Sequence, residues 1–347
     1  MIFKSDNCGP ALPEVMDAVV KANEGFQSSY GDDEMMEEVR DLIRTEFEAP
    51  EAAVYLVSTG TAANALALST LAKPWDTIFC TPLAHIQVDE CHAPEFYTGG
   101  GKLSLVGADD KMTADALDAA ITGWMKGDVH TSQRGPVALT QVTERGRVYS
   151  LEELKALTDV AQNHGLSTHM DGARFANAMM ALGCSAAEMT WKAGIDAVSF
   201  GGTKNGCLGV EAVIFFDPAH AWEFELRRKR GAHLFSKHRY LSAQMQGYLR
   251  GDVWKRAAEA TNAKAARMID GLRVAEACEF LFEPAANMIF ATLPRRIHQR
   301  LWEAGARYEL HGDFEGSPDE RLGMRLVVGW SVDEAEIDRF VQIATSG

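Results

Sequence analysis

The chain of 347 residues carries 46% hydrophobic and 24% charged side chains, a balance that excludes a disordered chain or a small stapled scaffold and supplies a sizeable core. Its length suggests two or three packing units. The 49 acidic against 34 basic residues leave a formal charge of -15, which repels phosphate backbones and anionic lipid and argues against nucleic acid and membrane as partners. The run Arg227-Arg228-Lys229-Arg230 stands out against that background. Cys8, Cys80, Cys91, Cys184, Cys207 and Cys278 form no Cys-x-x-Cys pair, and Lys4, Asp6 and Pro10 sit where a signal peptide needs apolar residues. A reducing, cytoplasmic setting is expected. The longest mostly apolar run, 62–72, is far short of the about 20 residues that span a bilayer.

In chain order, 12–22 and 34–47 read as amphipathic helices and 53–57 as a short apolar strand. Ser58-Thr59-Gly60-Thr61 follows, then a helical stretch over 62–72. Strands are expected at 77–81, 102–106 and 137–142, and a helix at 151–164 with Ser150 as N-cap and Glu153 closing a capping box. Further strands are expected at 167–170, 198–201 and 212–216. Strands alternating with helices make an α/β fold with a mostly parallel sheet. Beyond Asp217-Pro218 the pattern is almost continuously helical from 219 to 272, and then turns to α+β, with strands at 287–293 and 324–328 and helices at 296–304 and 333–344. The expected division is an arm over 1–12, a large unit over 13–245 and a small C-terminal unit over 246–347.

Three segments carry chemistry. Ser58-Thr59-Gly60-Thr61 lies between a strand and a helix, where unpaired N–H groups and the helix dipole favour a phosphate; taken alone, the segment is better read as an ordinary Ser/Thr N-cap. His169-Met170-Asp171-Gly172-Ala173-Arg174 puts a carboxylate at a strand end, where open α/β sheets bind ligands, and an arginine able to grip a carboxylate. The alternative is an Asp171–Arg174 salt bridge on a surface turn. In Gly201-Gly202-Thr203-Lys204-Asn205-Gly206 a lone lysine stands among small residues, the setting in which lysines lose their proton and form Schiff bases.

Together with Ser5-Asp6-Asn7, Tyr30-Gly31-Asp32 and Ala84-His85-Ile86, these segments resemble the threonine aldolases of the β-eliminating lyase group, over nearly the whole chain. The resemblance implies the aspartate aminotransferase-like architecture (fold type I) and pyridoxal 5'-phosphate (PLP) as cofactor. It implies that Lys204 holds the cofactor, that Asp171 pairs with its pyridine nitrogen, that Gly60, Thr61 and Thr203 contact its phosphate and that His85 stacks on its ring. Ser5, Arg174 and Arg325 would hold the substrate carboxylate. Arg230 and Lys237 would reach the phosphate of a neighbouring subunit in a homo-oligomer, dimer or tetramer, leaving Arg227, Arg228 and Lys229 as a solvated helix face.

The implied reaction is retro-aldol cleavage of L-threonine or L-allo-threonine, and of related β-hydroxy-α-amino acids, to glycine and an aldehyde. The same electron sink also serves β-elimination, racemisation or transamination, and a non-catalytic binder of phosphorylated ligands is the alternative outside enzymes. One position departs from the family pattern: where many members have Thr-His-Asn this chain has Thr143-Glu144-Arg145. Glu144, a bound water, or His85 is then expected to take the proton of the β-hydroxyl. His85, Asp89 and His92 have helical ligand spacing, but prolines bracket the stretch and the reading assigns no metal.

Overall fold

The computed structural model describes residues 1–346. Its centre is a seven-stranded sheet of β1 (Ala53–Val57), β2 (Asp76–Cys80), β3 (Lys102–Leu105), β4 (Gln133–Thr140), β5 (Thr168–Gly172), β6 (Ala197–Gly201) and β7 (Glu211–Phe215), in the order β1-β7-β6-β5-β4-β2-β3. All contacts from β3 to β6 are parallel; only β7 runs against its neighbours β1 and β6. Strands β1, β5, β6 and β7 are buried along their whole length, and β1 accordingly reads as a continuous apolar run without alternation. The helix Leu151–Asn163 carries the expected capping box of Ser150 and Glu153.

The small antiparallel sheet has the order β10-β11-β9-β8, from β8 (Glu279–Phe280), β9 (Met288–Pro294), β10 (Glu309–His311) and β11 (Arg321–Val327). Two main cores result. Val253, Trp254, Ala257 and Ala258 pack with the large sheet, whereas Ala265, Met268, Ile269 and Leu272 pack with the small one. One helix, Val253–Arg273, therefore spans both.

The stretch 219–272 is not one continuous helical block. Helices Ala221–Arg230, Arg239–Leu249 and Val253–Arg273 are separated by Ala232 at φ 63° and by Gly251 at φ 60°, both in the left-handed region that stops a helix. Among the described residues no helix is long and apolar enough to cross a membrane.

The N-terminal segment straps the two cores together. Phe3 is buried in the small core; its N–H donates to the Arg307 carbonyl and its own carbonyl accepts from the Val327 N–H, both at 2.8 Å. Leu12 belongs to the large core, and its N–H donates to the Gly206 carbonyl at 2.8 Å. Gly206 has φ 114° and a Cβ there would collide with the Leu12 side chain. Gly206→Ala is expected to destabilise by about 1–3 kcal/mol, through strain and overpacking, read as a lower urea midpoint at unchanged slope. An unchanged midpoint would remove this contact from the account of the strap.

Candidate active site

Parallel strands deliver their C-terminal ends to one rim, and the reactive segments all leave from it. Ser58–Thr61 follows β1, His85 follows β2, Glu144 follows β4, Asp171 and Arg174 lie at the end of β5, and Lys204 follows β6. Two cavities open there. The first, about 710 Å³, is lined by Gly60, Thr61, His85, Asp171, Thr203 and Lys204 among others. The second, about 540 Å³, is lined by Ser5, His85, Glu144, Arg174, Lys204 and Arg325 among others. The residues expected to hold a cofactor and those expected to hold a substrate thus separate into two spaces, with Lys204 and His85 lining both.

In the first cavity Thr59 caps the helix Gly60–Leu71 by accepting the Ala62 N–H at 3.1 Å. The cap leaves the N–H groups of Gly60 and Thr61 for a ligand at the positive end of the helix. Asp171 lies within β5, one residue further into the strand than its sequence pattern suggests. Its Oδ1 accepts the Ala173 N–H at 3.0 Å and its Oδ2 accepts from Asn64 Nδ2 at 2.9 Å. The same Asn64 donates to Glu90 Oε1, which meets His85 Nδ1 at 2.8 Å. Burial pushes the Glu90 carboxyl up, and the hydrogen bond that the imidazole ring donates to Glu90 pushes His85 up. The two groups therefore titrate as a coupled unit.

This cavity fits PLP. Gly60 has open space where a Cβ would stand, and Asn64 Oδ1 and Glu90 Oε2 are buried without a partner. A phosphate cradle, an acid fixed by two donors and a lysine are the donor set that a phosphorylated pyridine aldehyde needs. Burial and the neighbouring Arg174 push the Lys204 ammonium below its usual range, toward the free amine that attacks a carbonyl. His85, Glu90 and Asp171 bring ligand atoms within 4.8 Å of one another, but Asn64 ties two of the three and the His85 ring also faces the second cavity. His85, Asp89 and His92, set aside as ligands in the sequence, do not share one helix: the helix at His85 ends at Val88, and His92 has φ 61°.

In the second cavity Arg174 is buried and gripped by Asp6, Nε to Oδ2 at 2.7 Å and Nη2 to Oδ1 at 3.1 Å. The alternative pairing with Asp171 on a surface turn is therefore wrong. Burial raises the Asp6 carboxyl, and Arg174 with Lys204 outweighs it and holds the group below its usual range. Arg325 meets Glu309 at 2.6 Å, so an incoming carboxylate competes with Glu309 for it. Ser5 Oγ accepts the Asn7 N–H at 3.2 Å.

Glu144 stands on a turn that Thr143 and Arg147 anchor to Asp110 and that Gly146 seats against Met288. Its Oε1 accepts the His85 N–H at 2.9 Å, while Oε2 is buried without a partner. Burial pushes its pKa up to about 7.

Arg230 and Lys237 are exposed and line neither of these two cavities. Arg228 overturns the expectation of a solvated face: it is buried, 4.9 Å from the Tyr55 ring, with Nη1 donating to the Leu56 carbonyl at 3.4 Å. Four site residues had no role in the sequence reading, namely Asp6, Asn64, Glu90 and Glu211. Asp6 sits inside the quoted Ser5-Asp6-Asn7, which was the available signal.

The profile of the β-eliminating lyase family matches residues 3–267. The chain belongs to this family. It is 38% identical to a low specificity L-threonine aldolase of Pseudomonas sp., over 96% of this chain and 94% of that one. The corresponding protein of Pseudomonas aeruginosa is 38% identical, over 99% and 95%. Among solved structures, a Leishmania major threonine aldolase superposes with a TM-score of 0.90 at 25% identity, over 99% of this chain and 98% of that one. The two-sheet architecture is that of the fold type I members of this family.

Proposed function

We propose that the chain is a PLP-dependent aldolase that cleaves L-threonine, L-allo-threonine and related β-hydroxy-α-amino acids to glycine and an aldehyde. The observation that carries this reading is Lys204 standing where the phosphate cradle and Asp171 on one side meet Arg174 and Arg325 on the other. Relatives at 38% identity over nearly the full chain bear the name of this activity.

Lys204 would hold the cofactor, Gly60, Thr61 and Thr203 its phosphate, and Asp171 its ring nitrogen, with His85 over the ring. When bound, PLP supplies an electron sink for the pair left at Cα. The protein contributes position and proton transfer. Arg174, set by Asp6, and Arg325 receive the substrate carboxylate, with Ser5 beside them. Glu144 takes the proton from the β-hydroxyl as the Cα–Cβ bond breaks, and the aldehyde leaves with that oxygen. Holding the reacting groups together in one orientation supplies much of the rate.

Arg230 and Lys237 are read as contacts to the phosphate of a neighbouring subunit in a homo-oligomer, dimer or tetramer; their exposure away from those two cavities supports this. Six unpaired cysteines suit a cytoplasmic enzyme of threonine catabolism.

Incubation with L-threonine is expected to give glycine and acetaldehyde in equal amounts. A 2-oxo acid with ammonia would move the chain to β-elimination on the same scaffold, and no turnover with bound PLP would leave it a binder.

A further inference from the structure

Glu211 opens β7 and pairs in register with Val57 of β1 and Gly201 of β6. It therefore lies between the two segments that follow those strands, Ser58–Thr61 and Gly202–Lys204. It is buried, lines the first cavity, and its Oε2 accepts the Gly202 N–H at 2.8 Å. Three other carboxyls line this cavity and each has a partner for its charge: Arg174 for Asp6, His85 for Glu90, and the ring nitrogen assigned to Asp171. Glu211 has only neutral hydrogen-bond donors, the Gly202 N–H with the Thr203 hydroxyl and N–H, and the one cation acting on it is Lys204, the group assigned to the cofactor. An ionised carboxylate there would face a phosphate dianion, and like charges in a low-dielectric site disfavour each other strongly.

We infer that Glu211 is a neutral acid in the holoenzyme, lending its O–H to the phosphate end of the cavity, so that the chain takes up a proton as it takes up the cofactor's phosphate. The inference rests on the PLP reading above and assigns Glu211 as a further cofactor-binding residue. In the absence of the phosphate, burial already pushes Glu211 up to about 7, and a dianion beside it raises it further. The groups that face it are Lys204, Cys207 and, on helix Arg239–Leu249, Tyr248. Burial holds Cys207 and Tyr248 neutral well beyond this range. Lys204 is common to every arm of the comparison below.

The sign follows from linkage: the protonated form binds the dianion, so affinity is full below about pH 7 and falls by up to about tenfold per pH unit above it, until the bound-state value is passed. The test titrates the cofactor-freed protein with PLP and with pyridoxal, which lacks the phosphate, from about pH 6 to about pH 9. For PLP, the ratio of wild-type to Glu211→Gln dissociation constants is expected to be flat below about pH 7 and to climb about tenfold per unit above it. For pyridoxal it stays flat. Should the variant fold poorly, calorimetry of the wild type in two buffers near pH 8 provides the second reading. Uptake of on the order of one proton more with PLP than with pyridoxal is expected. A pH-independent ratio, or equal proton uptake for the two ligands, overturns the inference alone. A wild type that binds no PLP at any pH overturns the cofactor reading along with it.

Discussion

Replacing Glu144 by Gln is expected to slow cleavage of L-threonine by about 10²–10⁴-fold, the usual worth of a positioned acid–base group, while the absorbance of bound cofactor stays in place. The amide oxygen can still accept the His85 N–H that Glu144 Oε1 accepts at 2.9 Å, so the turn keeps its shape and only the proton acceptor is lost. A base must be ionised to act. With a pKa near 7 caused by burial, Glu144 should make wild-type turnover rise with pH through about 7, and the Gln variant should lack that limb. A carboxyl of ordinary pKa would be ionised throughout and would show no limb there. Unchanged turnover in the variant would transfer the role to His85 or to water.

The second large effect is structural and catalytic together. Arg174→Leu is expected to destabilise the protein by about 3–5 kcal/mol, because the change strands Asp6 as a buried, uncompensated charge. The double variant Asp6→Asn, Arg174→Leu should recover most of that loss, since neither charge is then left alone, yet should still bind substrate poorly. The pH sign separates the cases. In the wild type, Asp6 is held below its usual 3.8, so its contribution is present above that pH and lost as pH falls through the lower folded value. In Arg174→Leu burial is opposed only by Lys204 and the Asn287 amide, so the balance moves toward the protonated acid and mild acidification should recover part of the stability. A loss under about 1 kcal/mol in chemical denaturation would mean that Asp6 finds water or another donor, and that the pair does not organise the site.

The parts of the site legible in the sequence were those whose chemistry is local. Lys204 among glycines, Asp171 at a strand end and Gly60 at a helix start announce themselves by their immediate neighbours, as did β1, which occupies the expected 53–57. What stayed hidden depends on partners far along the chain. Asp6 meets Arg174 across 168 positions and Asn64 meets Asp171 across 107, and no periodicity encodes such a meeting. Helix phase misled in another way: four consecutive basic residues look solvated, yet Phe224 and Arg228, one turn apart, share the buried face, so one cation is carried inward onto Tyr55. The three helices within 219–272 share a composition that marks no boundary. Their breaks come from positive φ at Ala232 and Gly251, and an alanine gives no warning of that.

The N-terminal strap has a consequence for the order in which the molecule can be completed. Phe3, Asp6 and Leu12 are synthesised long before their partners: the groups that receive Phe3 belong to Arg307 and Val327, and Asn287 donates to Asp6 at 3.3 Å. Such contacts close almost the entire chain into a loop and are late events in folding. The large sheet can form during synthesis, whereas the second cavity waits for Arg325 on the last strand of the small sheet. A chain lacking that strand would thus carry Lys204 and the Ser58–Thr61 segment with the second cavity incomplete.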